Sequence, residues 1–207
     1  LNYLDWTPDV VHCHDWQAAL VPLYLRTCFK DTNVGRASAV LTIHNLKFQG
    51  IYDRKMIQYW SGLPDYVFNK DCMIQNWLDA NMLKGGIAYA NKVTTVSNTY
   101  AWEIQTEEYG EGLAEHLRYH SDKIRGIVNG IDTDNWNPAT DKLLAANYDA
   151  ETAIANKKIN KKTLQESLGL DVDDHKIVIG LISRLTNQKG LDLVNDIIPS
   201  IMDEHTP

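Results

Sequence analysis

Two rhythms of apolar and polar positions alternate along this chain. Short segments at Asp9–His12, Ala39–Ile43, Lys92–Val96, Lys123–Val128 and Ile177–Ile182 read as strands, Ala39–Ile43 as a buried one and Ile177–Ile182 as a continuous apolar one. Between them apolar residues recur at three- and four-residue spacing. Leu20, Leu23, Tyr24 and Cys28 mark a helix over Trp16–Phe29, and Leu78, Met82, Leu83 and Ile87 mark one over Asn76–Ala90. Met56–Trp60 reads as a shorter helix, and Ser97 is placed to cap another that runs through Ile104. Strands separated by helices predict βαβ units and a parallel sheet, an α/β fold.

The rhythm lapses after Asn129-Gly130. Asp132–Asp141, with its Asp, Asn, Thr and Pro138, reads as a connector. A helix over Asp149–Leu168 follows, with Gly169 as its C-terminal stop, then the Ile177–Ile182 strand and a helix over Gly190–Glu204. A domain boundary is therefore expected near 129–140, with a second α/β unit begun but not finished. The chain opens without Met and stops just after an apparent helix, so an internal piece of a longer protein is expected.

Composition narrows the partners. The 207 residues are 44% hydrophobic and 23% charged, ordinary for a globular chain and unlike a disordered, collagen-like or coiled-coil protein. Twenty Lys and Arg against 27 Asp and Glu leave a formal charge of −7, which disfavours general binding to nucleic acid or anionic membrane but not to a neutral polymer. Cys13, Cys28 and Cys72 form no C-x-x-C pair, consistent with a reducing, cytoplasmic setting. No apolar run approaches the ~18–20 residues of a membrane span.

Three segments have the makings of a site. His12-Cys13-His14-Asp15-Trp16 lies where a strand ends and a helix begins, the place where open α/β sheets gather ligands. Its two histidines share a strand face, as a metal pair would, but no third ligand has suitable spacing; a core histidine and a capping Asp15 are the structural alternative. Thr42–Gly50 repeats the arrangement, with His44 and Asn45 able to hydrogen-bond sugar hydroxyls and Trp16 able to stack on a sugar ring. Ser183–Gly190 carries Arg184 and Lys189 from a strand into a helix start, which suits a diphosphate; a solvated basic turn is the alternative. The P-loop and G-x-G-x-x-G patterns are both absent. Lys84-Gly85-Gly86 falls within a helical pattern, where paired glycines more often permit close helix packing.

The segments P-D-V-V-H-C-H-D-W-Q at 8–17, T-I-H-N-L-K-F-Q-G at 42–50, V-S-N-T-Y-A-W-E-I at 96–104, Y-G-E-G-L at 109–113, V-N-G-I-D at 128–132 and S-R-L-T-N-Q-K-G-L-D at 183–192 together resemble the bacterial glycogen synthase and plant starch synthase family. They run in order over essentially the whole chain. Asn98 stands where that family usually has Pro, at a turn position.

The resemblance implies a GT-B fold of two Rossmann-like domains with helices on both sheet faces. Residues 1–132 would be the C-terminal part of the acceptor-side domain, and 133–207 the linker and beginning of the nucleotide-sugar domain. It implies retaining transfer of glucose from ADP-glucose to the non-reducing end of an α-1,4-glucan such as glycogen, with no cofactor and no metal. Arg184 and Lys189 would hold the donor diphosphate, with Asn129 facing the cleft beside the donor. His44 would meet the donor glucose, while Asp15, Trp16 and Asn45 would line the acceptor side. The family's K-T-G-G loop is expected before Leu1 and its E-x-C-G-L segment after Pro207. Alone, the chain is then expected to be inactive and prone to self-association. The alternatives are another GT-B glycosyltransferase and a non-catalytic glucan-binding relic.

Overall fold

The structure, a computed structural model, describes residues 5–202. The chain folds as two units, one ending at Gly130 and one beginning at Ile131.

The first unit is built on four parallel strands in the order β1-β2-β5-β6: β1 Val10–His14, β2 Ser38–Ile43, β5 Lys92–Thr95 and β6 Ile124–Gly126. Register pairs Cys13 with Leu41, Leu41 with Val93 and Val93 with Ile124. Because side chains alternate along a strand, these residues share one face. That face is buried against Ala19, Leu83, Ile87, Ala101, Ile104 and Leu117, forming the main core. The helices supplying this layer are α1 (Leu20–Arg26), α3 (Met82–Tyr89), α4 (Asn98–Glu103) and α5 (Ala114–Tyr119). The opposite face is more polar and carries Val10, His12, His14, Val40, Thr42, Lys92, Thr94 and Arg125.

Local chemistry sets the element boundaries, and several differ from expectation. The first predicted helix is interrupted: Trp16–Ala18 forms a 3-10 turn before α1. The helix expected from Asn76 begins only at Met82. The Asn76 side chain accepts the Leu78 and Asp79 amides, favouring a turn over a helix, and Asp79–Asn81 (β4) pairs antiparallel with Ile51–Asp53 (β3). Asn81 then caps α3 by accepting the Lys84 amide. Asp53 caps α2 (Arg54–Ser61) in the same way, through the Met56 amide.

In the second unit, Asp149 holds the Glu151 and Thr152 amides in a turn, so α6 starts at Ala153 and runs to Ser167. Gly169 follows in the left-handed region, as a C-terminal stop requires. The predicted Ile177–Ile182 strand is not one. Among the described residues of this unit there is no strand for its amides and carbonyls to pair with, and Ile177 and Ile182 are exposed. The last helix, α7, spans Leu191–Ile201. Residues 203 and 204 of its predicted range lie outside the described residues.

Gly85 and Gly86 serve packing. A Cβ on Gly86 would sit 2.8 Å from both the Ala19 methyl and the Ala19 carbonyl oxygen, and one on Gly85 would sit 2.6 Å from Met73 Cγ. The α1–α3 contact therefore closes over bare backbone. Gly130 has no neighbour within 4 Å of such a Cβ. Gly86→Val is expected to lower the unfolding free energy of this unit by about 1–3 kcal/mol through overpacking. Gly130→Val should leave it unchanged, with urea unfolding followed by circular dichroism as the measurement.

Candidate active site

Strands β1 and β2 end side by side, with His14 opposite Thr42. The chain then turns sharply at Asp15, whose φ of 54° is unusual for a residue with a side chain. Two contacts hold it there. The Asp15 amide donates to the Thr42 carbonyl at 2.9 Å, and the Asp15 carboxylate accepts the His44 amide at 2.8 Å. The alternative role of Asp15 as a helix cap is not seen, since its side chain caps no helix amide. It binds the neighbouring strand end instead.

The polar sheet face brings three imidazoles together at this end. His12 Nε2 lies 2.7 Å from Thr42 Oγ1, which in turn lies 2.6 Å from Thr94 Oγ1. His14 Nδ1 lies 3.0 Å from His44 Nε2. Partial burial, followed by the nearby His14 and His44, pushes the pKa of His12 below its usual value. Among the described residues no group of three or more His, Cys, Asp or Glu is arranged to hold a metal ion.

The segment from His44 to Gly50 is fixed at nearly every residue. The Leu46 amide donates to Tyr100 Oη at 3.1 Å, and the Lys47 amide donates to the Asn45 side chain at 3.0 Å. The carbonyls of Gln49 and Gly50 accept the Leu83 and Met82 amides at the start of α3. The Gln49 side chain is 5% exposed; it donates to the Glu111 carbonyl at 2.9 Å and accepts from the fully buried Asn81 at 2.6 Å. Asn81 also donates to Gln75. Burial, with the backbone amide of Leu46 opposing and Glu111 and Asp15 assisting, raises the Tyr100 phenol above its usual pKa. At neutral pH Tyr100 is thus a neutral hydrogen-bonding post.

Beside this segment a cleft of about 260 Å³ is lined by Asp15, Trp16, Gln17, Asn45 and Phe48. Trp16 packs over Gly50, whose φ is +64°; a Cβ there would lie 2.5 Å from the indole. Aromatic faces beside neutral amides and one carboxylate suit a polyhydroxylated, uncharged ligand, with the rings meeting C–H faces and the polar groups meeting hydroxyls.

The first unit thus brings together Asp15, Trp16, His44 and Asn45. Asn129 also belongs to it, exposed on the segment that follows β6. Arg184 and Lys189 belong to the second unit and are both exposed. Lys189 closes a 3-10 turn (Asn187–Lys189), its amide donating to the Thr186 carbonyl, just before Gly190 and α7. Among the described residues neither cation is ion-paired. Sequence reasoning missed Gln75, Gln49, Asn81 and Tyr100 as holders of the His44 segment. Gln49 lies within the T-I-H-N-L-K-F-Q-G segment, but its partners Asn81 and Glu111 are 32 and 62 residues further on in the chain.

Residues 1–119 match the family described as starch synthase catalytic domain. The chain belongs to this family. Similar relatives include the glycogen synthases of Lachnospira eligens, 49% identical over 99% of this chain and 43% of its own length, and of Thermotoga petrophila, 49% identical over 98% and 41%. Among solved structures, the catalytic domain of starch synthase IV from Arabidopsis thaliana bound to ADP and acarbose matches with a TM-score of 0.85 at 37% identity, over 95% of this chain and 40% of that one. The chain therefore spans about two fifths of the length of the starch and glycogen synthases it matches. The parallel α/β fold expected from the strand–helix rhythm is the fold of this family.

The packing of Trp16 on Gly50 can be measured by difference. Gly62 has a φ of +61° with open space where a side chain would stand, so Gly62→Ala isolates the backbone cost, about 1–2 kcal/mol. Gly50→Ala should cost more than this and should also change Trp16 fluorescence. Equal losses for the two variants would mean that the indole contact contributes nothing.

Proposed function

We propose that this chain is an internal segment of a retaining glucosyltransferase that moves glucose from ADP-glucose to the non-reducing end of an α-1,4-glucan. The observation that carries the reading is the site at the ends of β1 and β2. The Asp15 carboxylate, the His44 imidazole, the Asn45 amide and the Trp16 indole converge there, with Asp15 at a positive φ and its carboxylate accepting the His44 amide, in a chain 49% identical to glycogen synthases. Residues 1–132 are read as part of the acceptor-side domain and 133–207 as the linker and the start of the nucleotide-sugar domain.

In this reading Asp15, Trp16 and Asn45 hold the acceptor glucan and His44 meets the donor glucose. When the bond from the anomeric carbon to the diphosphate breaks, negative charge grows on the diphosphate and positive charge on the sugar. Arg184 and Lys189 stabilise the former, the guanidinium as a fork and the ammonium as a point charge, and Asn129 contributes a neutral contact beside the donor. The acidic surface does not oppose a neutral glucan. A cytoplasmic setting is supported by three unpaired thiols, and no helix among the described residues is long and apolar enough to cross a membrane.

Transfer requires donor and acceptor to be held together. The second unit exposes Ile177, Ile179, Leu181, Ile182 and Leu193, which supports self-association of the isolated chain.

The test is steady-state kinetics in the full-length synthase carrying this chain, with ADP-glucose and glycogen as substrates. Arg184→Ala and Lys189→Ala should each lower kcat/KM for the donor by roughly ten- to a hundredfold, the effect of one charge-assisted contact of about 1.5–3 kcal/mol. The 207-residue chain alone serves as control and should release no ADP above background. Wild-type kcat/KM in both variants would make this segment a solvated basic turn.

A further inference from the structure

The proposed donor contact, His44, has a hydrogen-bonded neighbour that the transferase reading leaves without a role. The His44 amide is held by Asp15, but that contact fixes the backbone and leaves the side-chain torsions free. Among the described residues the imidazole of His44 has one hydrogen-bond partner, His14 Nδ1, 3.0 Å from His44 Nε2, and His14 has no other side-chain partner. The two rings stack with centroids 5.2 Å apart and planes 27° from parallel.

His14 is itself well placed to act as a support. It is the last residue of β1, in register with Thr42, so the sheet fixes its backbone. Its ring lies against His12, with centroids 4.3 Å apart. His12 is tied to Thr42, and Thr42 to Thr94 on the next strand. A file of polar groups thus crosses three strands and ends at the His14–His44 pair.

We propose that His14 is a positioning residue for His44: it holds His44 Nε2 and thereby turns His44 Nδ1 toward the donor sugar. The proposal rests on the glucosyl transfer proposed above. Two neutral imidazoles in a hydrogen bond share one proton, so one nitrogen donates and the other accepts. Whichever ring donates, the bond couples the tautomers of the two rings and occupies Nε2, so only Nδ1 of His44 remains to meet a ligand. The same logic operates wherever a second group fixes the tautomer of a working histidine.

The experiment compares His14→Leu and His14→Asn in the full-length synthase. Leucine fills much of the space of the ring without a hydrogen bond, whereas asparagine keeps a polar nitrogen or oxygen at the position of Nδ1. His14→Leu should lower kcat about tenfold, the loss of one neutral hydrogen bond in the reactive geometry, with KM for glycogen and the melting temperature nearly unchanged. His14→Asn should restore kcat to within about threefold of wild type. In ¹⁵N-imidazole spectra of the 207-residue chain, the balance of the two neutral His44 tautomers should change on His14→Leu. Wild-type kcat in His14→Leu, equal losses in the leucine and asparagine variants, or His44 tautomer populations indifferent to the substitution would each overturn the proposal. A full-length wild type that transfers no glucose would instead overturn the transferase reading on which it rests.

Discussion

The segment from His44 to Gly50 depends on one buried side-chain amide. Gln49 has no apolar role at its position; it is enclosed because both ends of its carboxamide are used, by the Glu111 carbonyl and by Asn81. Leaving either unpaired in the interior costs about 1–3 kcal/mol, so the network is satisfied as a whole or not at all. Asn81 extends the constraint, since the same side chain caps α3 and contacts Gln75. Three stretches distant in sequence are thereby tied to the loop that carries the candidate chemistry.

Around this anchor the site stores strain where it is useful. Asp15 and Glu111 are the two described residues other than glycine with positive φ. Each is held by hydrogen bonds to its backbone or carboxylate from the His44–Gln49 segment or its strand, so the strain is offset by contacts that also orient the loop. The result is a set of donors and acceptors with little freedom to reorganise. The glucosyl transfer proposed above would benefit from that rigidity, because preorganised groups need not move as charge develops.

The sheet and most of its helices were legible in the sequence because each is a local pattern. Ala39–Ile43 and the stretch from Lys92 have strand length, and the Ser97 cap lies within three residues of the amide it accepts. Asp15, Trp16, His44 and Asn45 stood out because chemistry-bearing residues cluster at strand ends. What failed was non-local. The β3–β4 pair joins residues about thirty positions apart and overrode a helical periodicity at Asn76–Asn81. Ile177–Ile182 has the composition of a strand but lacks a neighbour to pair with among the described residues. Gln49, a polar residue in a loop, gave no sign of burial because its partners sit 32 and 62 positions away.

If the Gln49 amide is the anchor, removing it should release the loop without melting the sheet. Hydrogen exchange on the 207-residue chain tests this directly, by comparing wild type with Gln49→Leu at the amides of His44, Leu46, Lys47 and Phe48 and, as reference, Leu41 and Val93. We expect exchange in the loop to accelerate by about tenfold or more while Leu41 and Val93 keep their protection, the signature of local opening. Unchanged exchange at His44 and Leu46 in a folded Gln49→Leu variant would show that the loop is held by something else and would contradict this account.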